Sequence, residues 1–280
     1  MAPETADRLA AVVAPGRRFA RGDKLPALWH WAYFPELAPL EDLGPDGHPR
    51  RHHELARHFP RRIAGGGSLR QARGLVVGEP AERSSALVEV RERRGRSGEL
   101  IICNWRHTYT QGEGTALEEI QSVIYRGAEA RDDKGPDLRQ DSDSRAGSMA
   151  PDDGSWRFMR RVEFGPVMLF RFSAATWNSH RIHYDRPYAT EEEGYPGLLV
   201  HGPLLAILLA DEAERLLGSG LSLEFRAHAS TFDTDAVNMY SRPDGEDAYR
   251  MEARKLDGTV VMSLSGSGVD QQAGGLVTSA

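Results

Sequence analysis

The run from Phe170 to Leu205, FRFSAATWNSHRIHYDRPYATEEEGYPGLLVHGPLL, is the chain's densest concentration of groups that can move protons. Three of the ten histidines (His180, His183 and His201) fall in it, together with Asn178, Asp185 and the acidic run Glu191–Glu193. A neutral imidazole can take up or release a proton near pH 7, which few other side chains can do. Asn178 can hold a water or a carbonyl but cannot act as a base. Gly202 and Pro203 open an apolar stretch that reads as a helix, and a helix start leaves backbone N–H groups free with partial positive charge. Glycine at that point lets a ligand approach the backbone closely. Such amides can stabilise an oxyanion formed at a polarised carbonyl. Imidazole, water holder and oxyanion donors together suit proton transfer beside a carbonyl.

Simpler readings compete with each assignment. His201, directly before a buried helix, reads first as a cap or a structural residue. His180 and His183 are three apart and precede Asp185, so they could ligate a metal. They lack the helical H-E-x-x-H setting, and no metal is assigned. Glu191–Glu193 reads as a solvated loop face. Asp185 could orient an imidazole or pair with Arg186. Earlier in the chain, His52, His53 and His58 lie among Arg50, Arg51, Arg57, Arg61 and Arg62, a solvated loop or a phosphate-facing surface. Residues 63–68 are glycine-rich (IAGGGS) but lack the Lys-Ser/Thr of a phosphate loop.

The elements that would position these groups follow from pattern. Residues 203–217 (PLLAILLADEAERLL) predict a helix with Gly202 at the N-cap, Pro203 at the first helical position and Gly218 past the end. Its first half is apolar all round, which implies burial on every side, and its second half is amphipathic. Strands are predicted at 75–77, 85–90, 100–109 and 118–125, and again at 167–173, 221–229, 236–240, 248–255 and 260–266. Arg94–Gly98 and Leu256-Asp257-Gly258 read as turns. Strands in this succession suggest antiparallel sheet, either wrapped around the buried helix or carrying it on one face. Residues 129–156 contain no Ile, Val, Phe or Tyr and read as a polar linker between two halves.

Composition bounds the rest. The 280 residues are 40% hydrophobic, enough for a core, with a net charge of −6. Residues 1–160 hold 25 basic against 24 acidic side chains, and residues 161–280 hold 10 against 17. Neither half is basic enough for a nucleic-acid partner. No stretch approaches the roughly 18–20 apolar residues of a membrane span, and the N-terminus lacks a secretory pattern. The single cysteine, Cys103, excludes an intrachain disulfide framework. A cytoplasmic protein is expected.

FSAATWNSHRIHYD and YPGLLVHGPL resemble the MaoC-like dehydratase/hydratase family. They are most similar to its subgroup of 3-hydroxyacyl-thioester dehydratases type 2, mesaconyl-C4-CoA hydratases and itaconyl-CoA hydratases. WHWAYFP (29–35), LGPDGHP (43–49), RRIAGG (61–66) and GRSGEL (95–100) resemble the subgroup's N-terminal repeat. The likeness runs from about 25 to 265. It implies an α+β double hot dog, two antiparallel sheets each wrapped around a central helix. The expected boundaries are an acyl-accommodating repeat at 15–128 with a degenerate helix, a linker at 129–159 and a catalytic repeat at 160–270.

Aligned on the wider family's S-G-D-x-N-P-x-H pattern, His183 falls at the catalytic histidine and Gly202 at the glycine whose N–H binds the thioester carbonyl. Asn178 stands where that family has a catalytic Asp, and His180 where it has Asn. The resemblance implies water addition to, or loss from, the α,β carbons of an acyl-CoA or acyl-carrier-protein thioester. His183 would carry the proton, with Asn178 holding water and Asp185 or His180 assisting. Tyr195, His201, Pro203 and Arg181 are the expected substrate contacts, and Arg181 with Arg186 could face a substrate carboxylate. Cys103-Asn104-Trp105 and residues 228–235 depart from the subgroup and are expected to line the acyl pocket. No metal or redox cofactor, no membrane and a homodimer are expected. A hot-dog thioesterase and a non-catalytic acyl- or polyketide-binding protein are the alternatives.

Overall fold

The computed structural model describes residues 1–49, 59, 61–95, 98–127 and 154–269. Among the described residues nine strands form one sheet: β1 (Arg61–Gln71), β2 (Glu82–Gly95), β3 (Gly98–Gln111), β4 (Gly114–Arg126), β5 (Arg157–Glu163), β6 (Leu221–Ala227), β7 (Ala236–Pro243), β8 (Ala248–Lys255) and β9 (Val260–Gly268). Their order is β2-β3-β4-β1-β6-β9-β8-β7-β5, with every neighbouring pair antiparallel. The first four strands and the last five are thus two sheets joined edge to edge at β1 and β6.

That seam explains the glycine-rich run, which is neither loop nor phosphate cradle. Gly66 (φ +138°) sits at a bulge in β1, and a Cβ there would lie 2.3 Å from the Phe225 carbonyl oxygen. A Cβ on Gly67 would lie 2.2 Å from that of Ile120. Only glycine lets the central strand be flanked this closely by β4 and β6.

Among the described residues three α-helices accompany the sheet: α1 (Pro3–Val13), α2 (Pro166–Thr176) and α3 (Gly202–Leu217). As its composition requires, α3 is buried from Leu204 through Ala210 and packs on β6, β8, β9 and β1. Each fully buried leucine of that run contributes about 1.5–3 kcal/mol. Its polar half is used as well. Asp211 accepts the Trp29 indole N–H at 2.8 Å and Glu214 accepts the Ala27 N–H at 3.1 Å. Burial pushes the Asp211 carboxyl up to about 7, against the opposing pull of that indole. These bonds fasten the N-terminal segment to the helix of the other half.

The structure corrects several sequence expectations. Residues 167–173 are not a strand but most of α2. Pro166 starts the helix, and Leu169, Phe172 and Ser173 are buried at helical spacing while Val167 and Phe170 are exposed. Residues 75–77 make only one isolated bridge, Lys24 to Val76. The N-cap of α3 is His201, one residue before the expected glycine. Strand β5 begins inside the expected linker range, and α1 lies ahead of the expected first repeat. α1 buries Leu9, Ala10 and Val13 and packs on α2 and α3 of the second half. Residues 128–153, most of the expected linker, and His52, His53 and His58 lie outside the described residues. Among the described residues no helix is long and apolar enough to cross a membrane.

Candidate active site

Among the described residues, no α-helix packs broadly on β2, β3 or β4. The space beside those strands is a cavity of about 890 Å³ that runs to the start of α3. Alternation along β3 sends Cys103, Trp105 and His107 into it, while Asn104 turns away to bond Glu89 and Ser122. The expectation for residues 103–105 therefore holds for two of the three. Of residues 228–235, Ala229, Ser230 and Thr231 line the cavity.

Local geometry brings the motif to the cavity wall. Helix α2 stops at Trp177, which adopts the left-handed conformation (φ 55°), and the Asn178 N–H returns to the Ser173 carbonyl at 2.8 Å. The chain then turns Asn178, His180 and His183 toward the cavity, and all three line it with Gly202, Pro203 and Tyr195. Asn178 Oδ1 accepts the His180 N–H at 3.0 Å, closing an Asx turn that leaves its two amide N–H groups as the remaining polar function.

His183 is 7% exposed. Its Nδ1 lies 2.7 Å from the Leu199 carbonyl oxygen, which can only accept, so Nδ1 carries the proton and Nε2 the lone pair. Burial lowers its pKa to about 4, with the Leu199 bond opposing. The ring stacks on His201 with centroids 3.7 Å apart and planes at 21°. His201 is fully buried, within 2.9 Å of Ser173 Oγ and edge-on to Phe172. Burial first, then the neighbouring imidazoles, hold His201 well below its ordinary pKa. Two neutral rings are thus stacked at the mouth of α3.

Four expectations change. His201 stacks behind His183, fully buried and outside the cavity lining. Arg181 is also outside the lining. Its guanidinium bonds Asp185 at 2.8 Å and the Pro45 carbonyl at 3.0 Å, and lies over the Tyr188 ring. Asp185 is engaged by Arg181 and by the Tyr188 N–H, and those bonds hold its pKa down, so it orients no imidazole. Arg186 pairs with Asp233. Neither arginine is placed to meet a substrate carboxylate. Among the described residues, Arg62 and Arg83 are the arginines of the lining. Of the acidic run, Glu193 alone reaches the cavity.

Sequence reasoning missed Asp46 and His48, which line the cavity from a turn of the first half. Asp46, His48 and His180 bring one coordinating atom each within 4.8 Å of one another, imidazole and carboxylate chemistry fit for a proton or a divalent ion. The Pro-Asp-Gly turn signature was visible, but nothing local shows which distant segment a turn will meet.

Known proteins place the chain. Residues 28–233 match the family model of hydroxyacyl-thioester dehydratase type 2. The chain is 38% identical over 245 residues to mesaconyl-C(4)-CoA hydratase of Chloroflexus aurantiacus, covering 86% of this chain and 82% of the relative. A 40-residue segment is 52% identical to the mitochondrial hydroxyacyl-thioester dehydratase type 2 of Schizosaccharomyces pombe, 14% of this chain and 13% of that one. In fold the chain is similar to HtdX of Mycobacterium tuberculosis (TM-score 0.67, 16% identity, 96% of this chain and 97% of that). It is also similar to a M. tuberculosis protein described as a double hot dog (TM-score 0.53, 14% identity, 94% and 85%). The fold is therefore the expected α+β double hot dog, and the chain belongs to the hydroxyacyl-thioester dehydratase type 2 family within the MaoC-like hot-dog hydratases.

Proposed function

We propose that the chain adds water to, or removes it from, the α,β carbons of an acyl thioester in this cavity. His183 Nε2 takes a proton from a water held by the Asn178 amide. The water oxygen bonds the β carbon, and the π electrons pass to the thioester oxygen. The Gly202 N–H stabilises that enolate, and a proton delivered to the α carbon completes hydration; dehydration is the reverse. The observation that carries this reading is the neutral His183 ring lining the same cavity as the first residue of α3. The second repeat (160–270) supplies this chemistry, and the first (15–128) accommodates the acyl chain along β3 and β4. The working assignment is a cytoplasmic homodimer acting on CoA- or carrier-protein-bound acyl groups, and light scattering reads the dimer.

Incubation with crotonyl-, mesaconyl- and itaconyl-CoA should give a product heavier by one water. Release of free thiol would mean a thioesterase, and binding without turnover a non-catalytic acyl-binding protein.

Gly202 gives a sharper test. A Cβ there would meet only Ala64 Cβ and Met262 Cε, both at 3.9 Å, and both residues line the cavity. Gly202→Ala should therefore fold with a melting point near that of the parent. The methyl group displaces the acyl carbonyl from the amide, and a displacement of this order costs about 10²-fold in rate. Undiminished turnover would remove Gly202 from the oxyanion site.

A further inference from the structure

Residues 178–185 of the second half turn no carboxylate to the imidazoles: Asn178 has none, Asp185 is engaged by Arg181, and Glu193, farther along the cavity wall, accepts the Tyr188 hydroxyl at 3.3 Å. The carboxylate that reaches it comes from the other half of the chain. The turn Gly44–His48 docks directly on residues 178–181. The Gly44 N–H bonds the His48 carbonyl at 2.7 Å and the Gly47 N–H bonds the Gly44 carbonyl at 2.9 Å. Across the junction the Arg181 N–H bonds the Asp46 carbonyl at 2.8 Å, and Ser179 Oγ–H donates to the Gly47 carbonyl. Gly47 (φ +82°) passes so close to the motif that a Cβ would lie 2.1 Å from the Ser179 oxygen.

This docking puts Asp46 Oδ2 3.9 Å from His180 Nε2, with both residues nearly buried in the cavity wall. The His180 ring is edge-on to His48 at 4.2 Å and to His183 at 5.4 Å. The separation from Asp46 is that of a charge contact, a little longer than a hydrogen bond. Contacts of this kind commonly tighten once substrate fills the site.

Resting on the hydro-lyase reading, we infer that Asp46 is the carboxylate of this active site, a positioning residue that acts through His180 and is supplied by the first half of the chain. A carboxylate beside an imidazole fixes its orientation and favours its protonated form. His180 is then the group beside His183 that gives the α carbon its proton in hydration: the His180 N–H bond breaks as the Cα–H bond forms. The proton taken from water by His183 returns to His180, directly or through solvent, and restores both rings. The chemistry depends on the turn being docked, so the two repeats make one site.

The test uses the intact protein and a thioester it hydrates. Asp46→Asn keeps the Oδ1 that accepts the His48 N–H at 3.1 Å, so the turn persists while the charge is lost. kcat should fall about tenfold or more with KM nearly unchanged, and Asp46→Glu should recover part of it. His180→Gln should lower kcat similarly, and the double variant should be no worse than the weaker single one, because Asp46 acts only through His180. A parental kcat in Asp46→Asn, or multiplicative losses in the double variant, overturns the inference and leaves the hydro-lyase reading intact. So does activity that dialysis against a chelator removes and a divalent ion restores, which would make Asp46, His48 and His180 a metal site. Absence of hydration in the parent protein instead sinks the underlying reading.

Discussion

His183→Ala should lose about 10²–10⁴-fold in kcat, the usual contribution of a positioned proton-transfer group, while remaining folded. The ring does three things no neighbour can take over. Its Nδ1–H is committed to the Leu199 carbonyl, so Nε2 is presented as a base of fixed tautomer. It stacks on His201, which prevents rotation. Its pKa of about 4, set by burial, keeps it neutral at pH 7, with the Nε2 lone pair unprotonated. The acid limb of kcat/KM should accordingly lie near pH 4, well below the 6.5 of an ordinary imidazole. The same shift has a consequence for stability. The folded pKa is below the unfolded one, so the unfolded chain takes up a proton that the folded chain does not. The stability contributed by the neutral ring is complete above pH 6.5 and is lost as pH falls toward 4. In His183→Ala that part of the acid destabilisation disappears, and His201, shifted in the same direction, keeps its own. Circular dichroism checks the fold and a rate–pH profile the role. Turnover within about threefold of the parent would remove His183 from the mechanism.

What could be read from the chain depended on how local the cause was. Helix α3 was legible because its apolar residues run through every face and its ends carry Pro203 and Gly218. Strand β8 was placed to the residue, since a hairpin turn follows it directly. Helix α2 was mistaken for a strand because an apolar run as short as 167–173 fits both periods, and burial against α1 decides between them. Strand β1 was invisible: its three glycines are explained only by β4 and β6 on either side.

The site divides in the same way. Asn178, His183 and Gly202 belong to one contiguous motif, and all three line the cavity. Arg181 and Asp185 were misassigned because their i,i+4 pairing engages both charges before either can face the cavity. Asp46 lies more than a hundred residues from His180 and reaches it only through the turn's docking.

Glu119→Ala should be the most destabilising single substitution in the first half, at about 3–5 kcal/mol, the cost of breaking a buried charge network. Glu119 is 1% exposed in β4. Its Oε1 accepts the Trp31 indole at 2.7 Å and the Gln121 amide at 2.9 Å. Its Oε2 accepts His30 at 3.0 Å and the Tyr109 hydroxyl at 3.1 Å. Removing the carboxylate leaves the His30 and Tyr109 donors buried and the Trp31 and Gln121 donors at the cavity wall without their acceptor, and each buried unsatisfied donor costs more than the bond contributed. Burial alone would raise this carboxyl's pKa, but the His30 charge and the donated bonds overcome it and hold it below its ordinary value of 4.5. That stabilisation is complete above pH 4.5 and is lost as pH falls through the lower folded value, so the parent should show an acid limb that Glu119→Gln lacks. Trp31 and Gln121 also line the cavity, so the network sets one of its walls. Urea unfolding at pH 7 and near pH 4 reads both effects. A Glu119→Ala protein within about 1 kcal/mol of the parent at pH 7 would mean that the donors find other partners and that this wall of the cavity does not depend on the charge.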